Sequence, residues 1–375
     1  MKKRVAYCLV ILVVVWVVWA AAIRLAVSAL LNSLEGDDIS VSLHADLLRL
    51  LPGGRRAALP GLLHALESDK SHVRWNAGSA LGFLRFQACE LTPRLLDLLT
   101  HENPGVRWNA CFLIGELGRA GEPAIASLIN VVEDEPAGEI LHQGGAVSGK
   151  TFYEVFKAHS LRSAAAEALG KIGPAAKAAV PALTRATNDA NPFVRLDAAI
   201  AIWKIEGNAA HCVPVFIDLL TERRKTRREG LLRSAAAEAL GEIGPDAKPA
   251  VLALIQVLSS GDREAGEQAA GALGKMGSVA KAAEPELLKA LNDEDPFFRI
   301  AVAEALARFG AQSAPAIWAL VDVLKDASHT PFAREKAMLA LKLFGPEADG
   351  SIVALIEATH DRPSGLPCYK IFKSL

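Results

Sequence analysis

The sequence predicts an all-α protein, an α-solenoid in which about eight helical hairpins form a superhelix behind one transmembrane helix. The first observation is an internal repeat, because residues Leu161–Gly170 recur unchanged as Leu232–Gly241. The second is a proline that returns at intervals of about 30–36 residues along most of the chain. The third is an uninterrupted apolar run at the N-terminus. A unit repeated with this period is one supersecondary element that buries its apolar face against its neighbours.

The N-terminus has the properties of a membrane span. Lys2, Lys3 and Arg4 precede an apolar run over residues 5–23. These 19 residues, as a helix, rise about 28 Å, which is close to the roughly 30 Å hydrocarbon thickness of a bilayer. Three positive charges stand before the run and only Arg24 directly after it. The charge bias therefore predicts a cytoplasmic N-terminus and an extracytoplasmic (periplasmic) solenoid.

A cleaved signal peptide is the alternative to a retained anchor. Residues 20–22 are three alanines, which suit a cleavage site and would lead to a secreted protein. The apolar run is longer than the usual 7–15 residues, roughly, of a signal peptide. We therefore favour a retained single-pass anchor over residues 1–31.

The remaining chain divides into a short connection and a long repeat array. Residues 32–56 are predicted to form a polar linker, residues 32–40, and an amphipathic capping helix over 41–51. The solenoid follows over residues 57–375. Proline, tolerated in the first turn of a helix, is expected to open the first helix of each hairpin at Pro60, Pro93, Pro123, Pro181, Pro214, Pro249, Pro285 and Pro315. The wide interval after Pro123 predicts an insertion at residues 136–160, and a terminal helix is expected near 352–358.

The second helix of most hairpins carries an arginine eight residues before a glycine or its substitute, as in Arg74/Gly82 and Arg162/Gly170, and the sixth repeat has Gly266 in place of the arginine. Alanine and leucine recur at helical spacing between them. The offset from Asp189 to Arg195 recurs from Asp293 to Arg299. This pattern resembles the HEAT-repeat family, and the ending Ala-Leu-Gly-x-Ile-Gly is similar to its phycobilisome-lyase-like branch, which is common in bacteria.

The resemblance has three implications. The second helices should line the concave side of a superhelix, and each arginine should brace the stack by bonding the turn aspartate of its own or a neighbouring repeat. The lyase-like branch implies an alternative function, that of a HEAT-type bilin lyase-like enzyme or enzyme accessory. Iron-binding HEAT enzymes bind the metal through repeated His-Glu pairs. This chain has one such pair, His101-Glu102, which argues against that chemistry.

Charge and motif content argue against several function classes. The chain has 41 basic and 42 acidic residues, so nothing in the bulk charge indicates nucleic-acid binding. The five cysteines show no metal-ligand spacing, and the nine histidines are dispersed. Residues 144–151 fit the phosphate-loop pattern GxxxxGKS/T, but a helical repeat supplies no buried strand before it. We predict no catalytic residue, no metal, no cofactor and no bound nucleotide.

The sequence predicts a membrane-anchored scaffold that binds a partner protein of unknown identity along the concave second-helix face and the inserted loops. Aromatic side chains line this face near the membrane end, and acidic ones continue it toward the C-terminus. We predict partner binding here because tryptophan anchors commonly carry binding energy. The predicted partner-binding residues of the face are Trp75, Trp108, Phe112, Glu167, Glu238 and Glu304. Those of the loops are Phe152 and Tyr153 in the insertion and the basic run Arg223, Arg224, Lys225, Arg227 and Arg228. The alternatives are tryptophans buried between repeats and loops that are solvated spacers.

Overall fold

The computed structural model describes residues 2–36, 38–84, 88–134, 160–222, 227–310, 313–326, 329–345 and 348. Every regular element within these ranges is helical, as predicted. Several predictions lie outside them, namely the insertion at 136–159 with Phe152 and Tyr153, the basic residues 223–225 and the terminal helix at 352–358. Arg227 and Arg228 begin a helix, but their side chains lie outside the described part of the chain.

The chain divides into two compact units, Met1–Gly207 and Asn208–Leu375. The helices of unit one are α1 Lys2–Ser33, α2 Asp38–Leu50, α3 Gly54–Ala65, α4 Ser71–Leu84, α5 Ala88–Leu98, α6 Pro104–Glu116, α7 Ile125–Asp134, α8 Leu161–Ile172, α9 Val180–Ala186 and α10 Pro192–Glu206. Those of unit two are α11 Val213–Thr221, α12 Arg227–Ile243, α13 Val251–Leu258, α14 Arg263–Met276, α15 Glu284–Ala290, α16 Pro296–Phe309, α17 Ser313–Lys325 and α18 Pro331–Leu341.

Successive helices form the predicted hairpins, so the α-solenoid fold is confirmed. The pairs are α3/α4, α5/α6, α7/α8 and α9/α10 in unit one and α11/α12, α13/α14, α15/α16 and α17/α18 in unit two. Pro181, Pro214 and Pro285 stand in the first turn of a helix, as expected. Pro60 and Pro93 differ, because they lie inside α3 and α5.

The second helices of neighbouring hairpins approach at their backbones. A Cβ added to Gly170, Gly241 or Gly274 would stand 2.9 Å from the Cα atom of an alanine in the next second helix. Only a residue without a side chain permits this approach. Gly170, Gly241 and Gly274 are therefore packing residues.

An additional hairpin precedes the eight predicted ones. The C-terminal part of α1 packs against α2 and α3, and Leu30 and Leu34 are buried there. α2 packs on α4 through the buried face that contains Val41 and Leu48. The predicted polar linker is shorter than expected, because α1 continues to Ser33. The apolar N-terminal segment and the repeat array thus share one helix.

Residues 15–19 of α1 expose their apolar side chains. Val15–Ser33 is apolar enough to cross a membrane by length and composition, with a mean hydropathy of 1.7, and a signal sequence has the same properties. Trp16 and Val18 are 63% and 64% exposed. Exposed apolar side chains on this helix fit either a membrane span or a signal sequence.

Candidate partner-binding site

Three aromatic side chains of unit one form a cluster between α4 and α6. The ring of Trp75 on α4 lies 6.0 Å from that of Trp108 and 5.7 Å from that of Phe112, both on α6. Trp108 and Phe112 stack at 5.7 Å with an interplanar angle of 7°. We refer to Trp75, Trp108 and Phe112 as the aromatic cluster.

The local sequence explains how the cluster forms. Trp108 and Phe112 are four residues apart on α6 and therefore share a helix face. Trp75 takes the equivalent place on α4, because Val-Arg-Trp-Asn-Ala occurs in both helices. The side chains differ in burial: Trp108 is 6% exposed, whereas Trp75 and Phe112 are half-buried. Trp108 is thus a packing residue between repeats, and the accessible part of the cluster is Trp75 and Phe112.

Charged residues extend the cluster toward α8. The Lys171 Nζ atom lies 5.5 Å from the centre of the Phe112 ring and forms ion pairs with Glu116 at 2.7 Å and Glu167 at 3.1 Å. Burial alone would lower the pKa of Lys171, but these two carboxylates outweigh it and the pKa lies above its ordinary value. Glu167, a predicted contact residue, is therefore held by a cation of its own helix.

The two helices that carry the cluster do not approach as the other second helices do. A Cβ added to Gly82 on α4 would meet no atom within 4 Å, whereas one on Gly115 of α6 would stand 3.2 Å from the Cα atom of Ala168. The residue of α6 at the place of Ala168 is Leu113, whose larger side chain is buried. The larger residue is consistent with the wider spacing.

Two helical stripes, one on α4 and one on α6, flank the aromatic cluster at this wider spacing. Trp75, Ser79 and Gly82 follow one another at helical spacing along α4, and Phe112 and Glu116 do so along α6. Gly82 is exposed, and the other four are at least partly exposed. We refer to these five residues as the α4–α6 groove. Lys171, Glu116 and Gly82 were not predicted as site residues, although each stands on a helical stripe with a predicted residue.

Two other predicted face residues belong to the second unit. Glu238 is exposed on α12 and Glu304 is half-buried on α16, both in unit two. The positions equivalent to Trp108 are buried at Ser163, Leu196, Ser234 and Ile300. The predicted face therefore combines two kinds of position. The residue directly after the repeated arginine is buried in most second helices, and the residue four places later reaches the surface. Partner binding by these residues stays a prediction.

The row of arginines braces the hairpins, as the resemblance implied. Arg195 donates through Nη1 to the carbonyl oxygen of Asp189 in its own turn at 3.0 Å. Arg162 of the preceding hairpin pairs with the carboxylate of the same Asp189 at 2.5 Å. Arg233 pairs with Asp262 in the same way. These guanidinium groups are engaged within the stack and do not form a run of anion sites.

The described residues contain no group of three or more histidine, cysteine or acidic side chains that could hold a metal ion. A cavity of about 600 Å³ in unit two is lined by Asp262, Arg263, Glu286, Lys289 and Asp293, among others. Its charges are compensated locally: Lys289 pairs with Glu286 at 2.8 Å and Arg263 with Asp293 at 3.4 Å. The cavity therefore offers no concentration of one charge.

The hairpin stack defines a class of repeat protein, and the comparisons with known proteins identify the family. Models of HEAT repeats match residues 59–144, 158–241, 251–342 and 285–365. The chain therefore belongs to the HEAT-repeat family. A PBS lyase HEAT-like repeat matches residues 232–260 and confirms the resemblance to that branch.

The chain is similar to several solved structures at low sequence identity. Escherichia coli YibA is 15% identical, with 80% of this chain and 95% of that chain covered and a TM-score of 0.50. The CpcE–CpcF complex of phycocyanin lyase from Nostoc sp. PCC7120 is 23% identical, with 68% and 93% covered and a TM-score of 0.39. Kap121p bound to Pho4p is 15% identical, with 90% and 44% covered and a TM-score of 0.46. No curated protein sequence matches the chain.

Proposed function

We propose that this protein is a membrane-anchored scaffold that binds a partner protein in the α4–α6 groove. The observation that carries the proposal is the aromatic cluster beside the wide spacing at Gly82. Two of its aromatic side chains, Trp75 and Phe112, are held by ring contacts within the cluster and remain partly accessible. Aromatic anchors in pre-ordered pockets commonly dominate binding energy, and little ordering is needed when the pocket is already formed.

The groove has a chemistry that suits one kind of partner segment. Its floor is aromatic, and its rim carries Glu116, whose side chain is 47% exposed. An apolar side chain of the partner would pack on the accessible parts of Trp75 and Phe112, and a neighbouring cation of the partner would face Glu116. The interaction involves contact and charge, with no bond made or broken.

The anchor in this proposal is α1, with its N-terminus in the cytoplasm and the repeat array in the periplasm. The exposed apolar side chains of residues 15–19 and the positive charges before the span support it. The alternative is secretion after cleavage behind Ala22. Cleavage there would leave Leu30 and Leu34 in place, so the first hairpin is compatible with both forms.

Topology is tested by fusing alkaline phosphatase or green fluorescent protein to the C-terminus. We expect active phosphatase, dark fluorescent protein, and a chain that resists extraction by alkaline carbonate. The intact mass of the purified protein then distinguishes an anchor from a cleaved signal. Fluorescence of the fusion in the cytoplasm would refute the proposed orientation.

Groove binding is tested by placing a photo-crosslinking amino acid at Ser79 in living cells. We expect a specific cross-linked band that Trp75→Ala weakens at least tenfold, because the apolar floor is lost. A crosslinker at Trp318, which is 60% exposed on α17, is the matched control. The same band from both positions, or a band that Trp75→Ala leaves unchanged, would reject the groove.

The second candidate function is that of a bilin lyase-like enzyme or accessory, and it rests on the PBS lyase HEAT-like match at residues 232–260. Its test is visible absorbance of the purified protein after co-expression with a bilin. Bound or transferred chromophore would favour this function over the scaffold.

A further inference from the structure

We propose that the end of α2 and the turn into α3 rest on the headgroups of an anionic lipid bilayer, as a collar around the end of the membrane span. The collar consists of Leu47, Arg49, Leu50, Pro52 and Arg56. The inference rests on the proposed membrane span of α1 and adds a second lipid-binding site to it.

The first step is the position of the turn along α1. α2 leads the chain back along α1, so that a Cβ added to Gly53 would stand 3.9 Å from Cδ1 of Ile23. Ile23 is the last residue of the apolar run. When that run fills the hydrocarbon core, the turn lies in the headgroup layer, which is about 5–7 Å deep on each side.

The second step is the apolar outer face of α2. Leu43, Leu47 and Leu50 follow one another at helical spacing and are 59%, 47% and 76% exposed. Leu25 on α1, two residues beyond Ile23, is 72% exposed. A terminal hairpin of a repeat stack normally turns a polar face outward. This one exposes leucines, most strongly at the end near Ile23.

The third step is the positive charge at the same end. Four arginines lie at this end, and the described ion pairs join three of them to two acidic residues: Asp46 lies 3.5 Å from Arg49, and Glu90 lies 3.9 Å from Arg55 and 3.7 Å from Arg56. The fourth is Arg24, and the difference of four and two leaves a net charge of two positive. The Arg56 side chain is 86% exposed. Guanidinium groups bind phosphate oxygens through paired donors.

A lipid surface explains these features better than a second copy of the chain does. The apolar face continues directly from the span, and the arginines lie at the end of that face near Ile23. Stable dimers bury about 800 Å² on each partner, and four leucines cover only a fraction of that area. Leucine side chains inserted beside lipid-phosphate contacts are typical of interfacial helices.

The test is hydrogen–deuterium exchange of the full chain in detergent, in phosphatidylcholine vesicles and in vesicles with about one-third phosphatidylglycerol. We expect amides of residues 47–57 to exchange about tenfold more slowly in the anionic vesicles than in the neutral ones. High salt should reduce the difference, because it screens the phosphate contacts.

Variants separate the collar from general effects on the fold. Leu50→Asn and Arg49→Gln should each reduce the slowing. Two controls outside the collar should leave it intact: Leu252→Asn, at a leucine 71% exposed on α13, and Arg185→Gln, in an exposed pair with Glu133.

Three results would overturn the collar. The first is equal amide exchange of residues 47–57 in detergent and in both kinds of vesicle, although the chain resists carbonate extraction. This result would refute the collar and retain the anchor. The second is slower exchange that depends on the ratio of protein to lipid but not on lipid charge. This result would indicate that a second copy of the chain covers the face. The last is complete extraction by carbonate, which refutes the anchor and the collar together.

Discussion

Gly170 on α8 meets Ala201 on α10 at the backbone: a Cβ added to Gly170 would stand 2.9 Å from the Ala201 Cα atom. Gly82 on α4 occupies the same place in its own hairpin but has no atom within 4 Å of such a Cβ. The pair forms a natural control, because both glycines lie within helices eight residues after an arginine.

We expect Gly170→Ala to lower the free energy of unfolding by about 1–3 kcal/mol, since α8 and α10 must separate. Gly82→Ala should leave it unchanged or raise it by up to about 1 kcal/mol, because alanine favours the helix. Urea denaturation followed by circular dichroism measures both. Equal effects of the two changes would contradict the packing role of Gly170.

The ion pair of Arg162 and Asp189 predicts a second stability difference. Their side chains are 13% and 5% exposed, and Asp189 also accepts the Asn191 backbone N–H at 2.7 Å. Asp189→Asn should lower the free energy of unfolding by about 2–3 kcal/mol, because it leaves a largely buried guanidinium without its counter-charge. Glu133→Gln, in the exposed pair with Arg185, should change it by less than about 1 kcal/mol. A similar loss in both variants by thermal denaturation would contradict the bracing role.

Glu267 on α14 predicts a pH dependence of stability. Burial, together with Asp295 and Glu264, raises the pKa of this carboxyl from 4.5 to about 7, against the opposing effect of Lys336. The folded state therefore holds the proton more tightly than the unfolded chain does. Stability that is present below pH 4.5 should decline as the pH rises through 7.

Glu267→Gln should remove this decline and stabilise the protein at neutral to basic pH by about 1 kcal/mol, because water screens a half-buried carboxyl. The measurement is the urea midpoint between about pH 4.5 and pH 8. Glu238→Gln, at an exposed site on α12, should follow the wild type. A Glu267→Gln profile parallel to the wild type would contradict the assignment.

The two tryptophans of the aromatic cluster should respond differently to truncation. Trp108→Ala should lower the free energy of unfolding by about 3–5 kcal/mol, because the side chain is 6% exposed and leaves a cavity. Trp75→Ala should lower it clearly less, since Trp75 is already in contact with water. Thermal melting of both variants checks this. Equal melting temperatures would show that Trp108 is no more buried in solution than Trp75.

The hairpins and the arginine contacts could be predicted because they are local and repeated. The proline at the start of α9, the arginine at position 195 and the aspartate six residues before it recur as a pattern, and repetition forces a stack. The sequence predicts one part of the aromatic cluster, because the spacing alone places Trp108 and Phe112 on one helix face. Their burial depends on how closely α4 and α6 approach, and one helix alone does not determine that distance.

The first hairpin could not be predicted for a related reason. Residues 24–33 continue the apolar composition of the membrane run, so nothing in their pattern marks where the span ends and packing begins. Leu30 and Leu34 become core residues only because α2 returns along α1. The groove at Gly82 was missed because the same glycine elsewhere marks close contact.

The shared helix α1 also has a mechanical consequence. With α1 retained as the proposed anchor, one continuous helix would pass from the bilayer into the first hairpin, and unit one would have no flexible tether on which to swing. Any tilt that the local bilayer thickness imposes on α1 would turn the α4–α6 groove by the same angle. Lipid composition could thereby set the direction from which a partner must arrive.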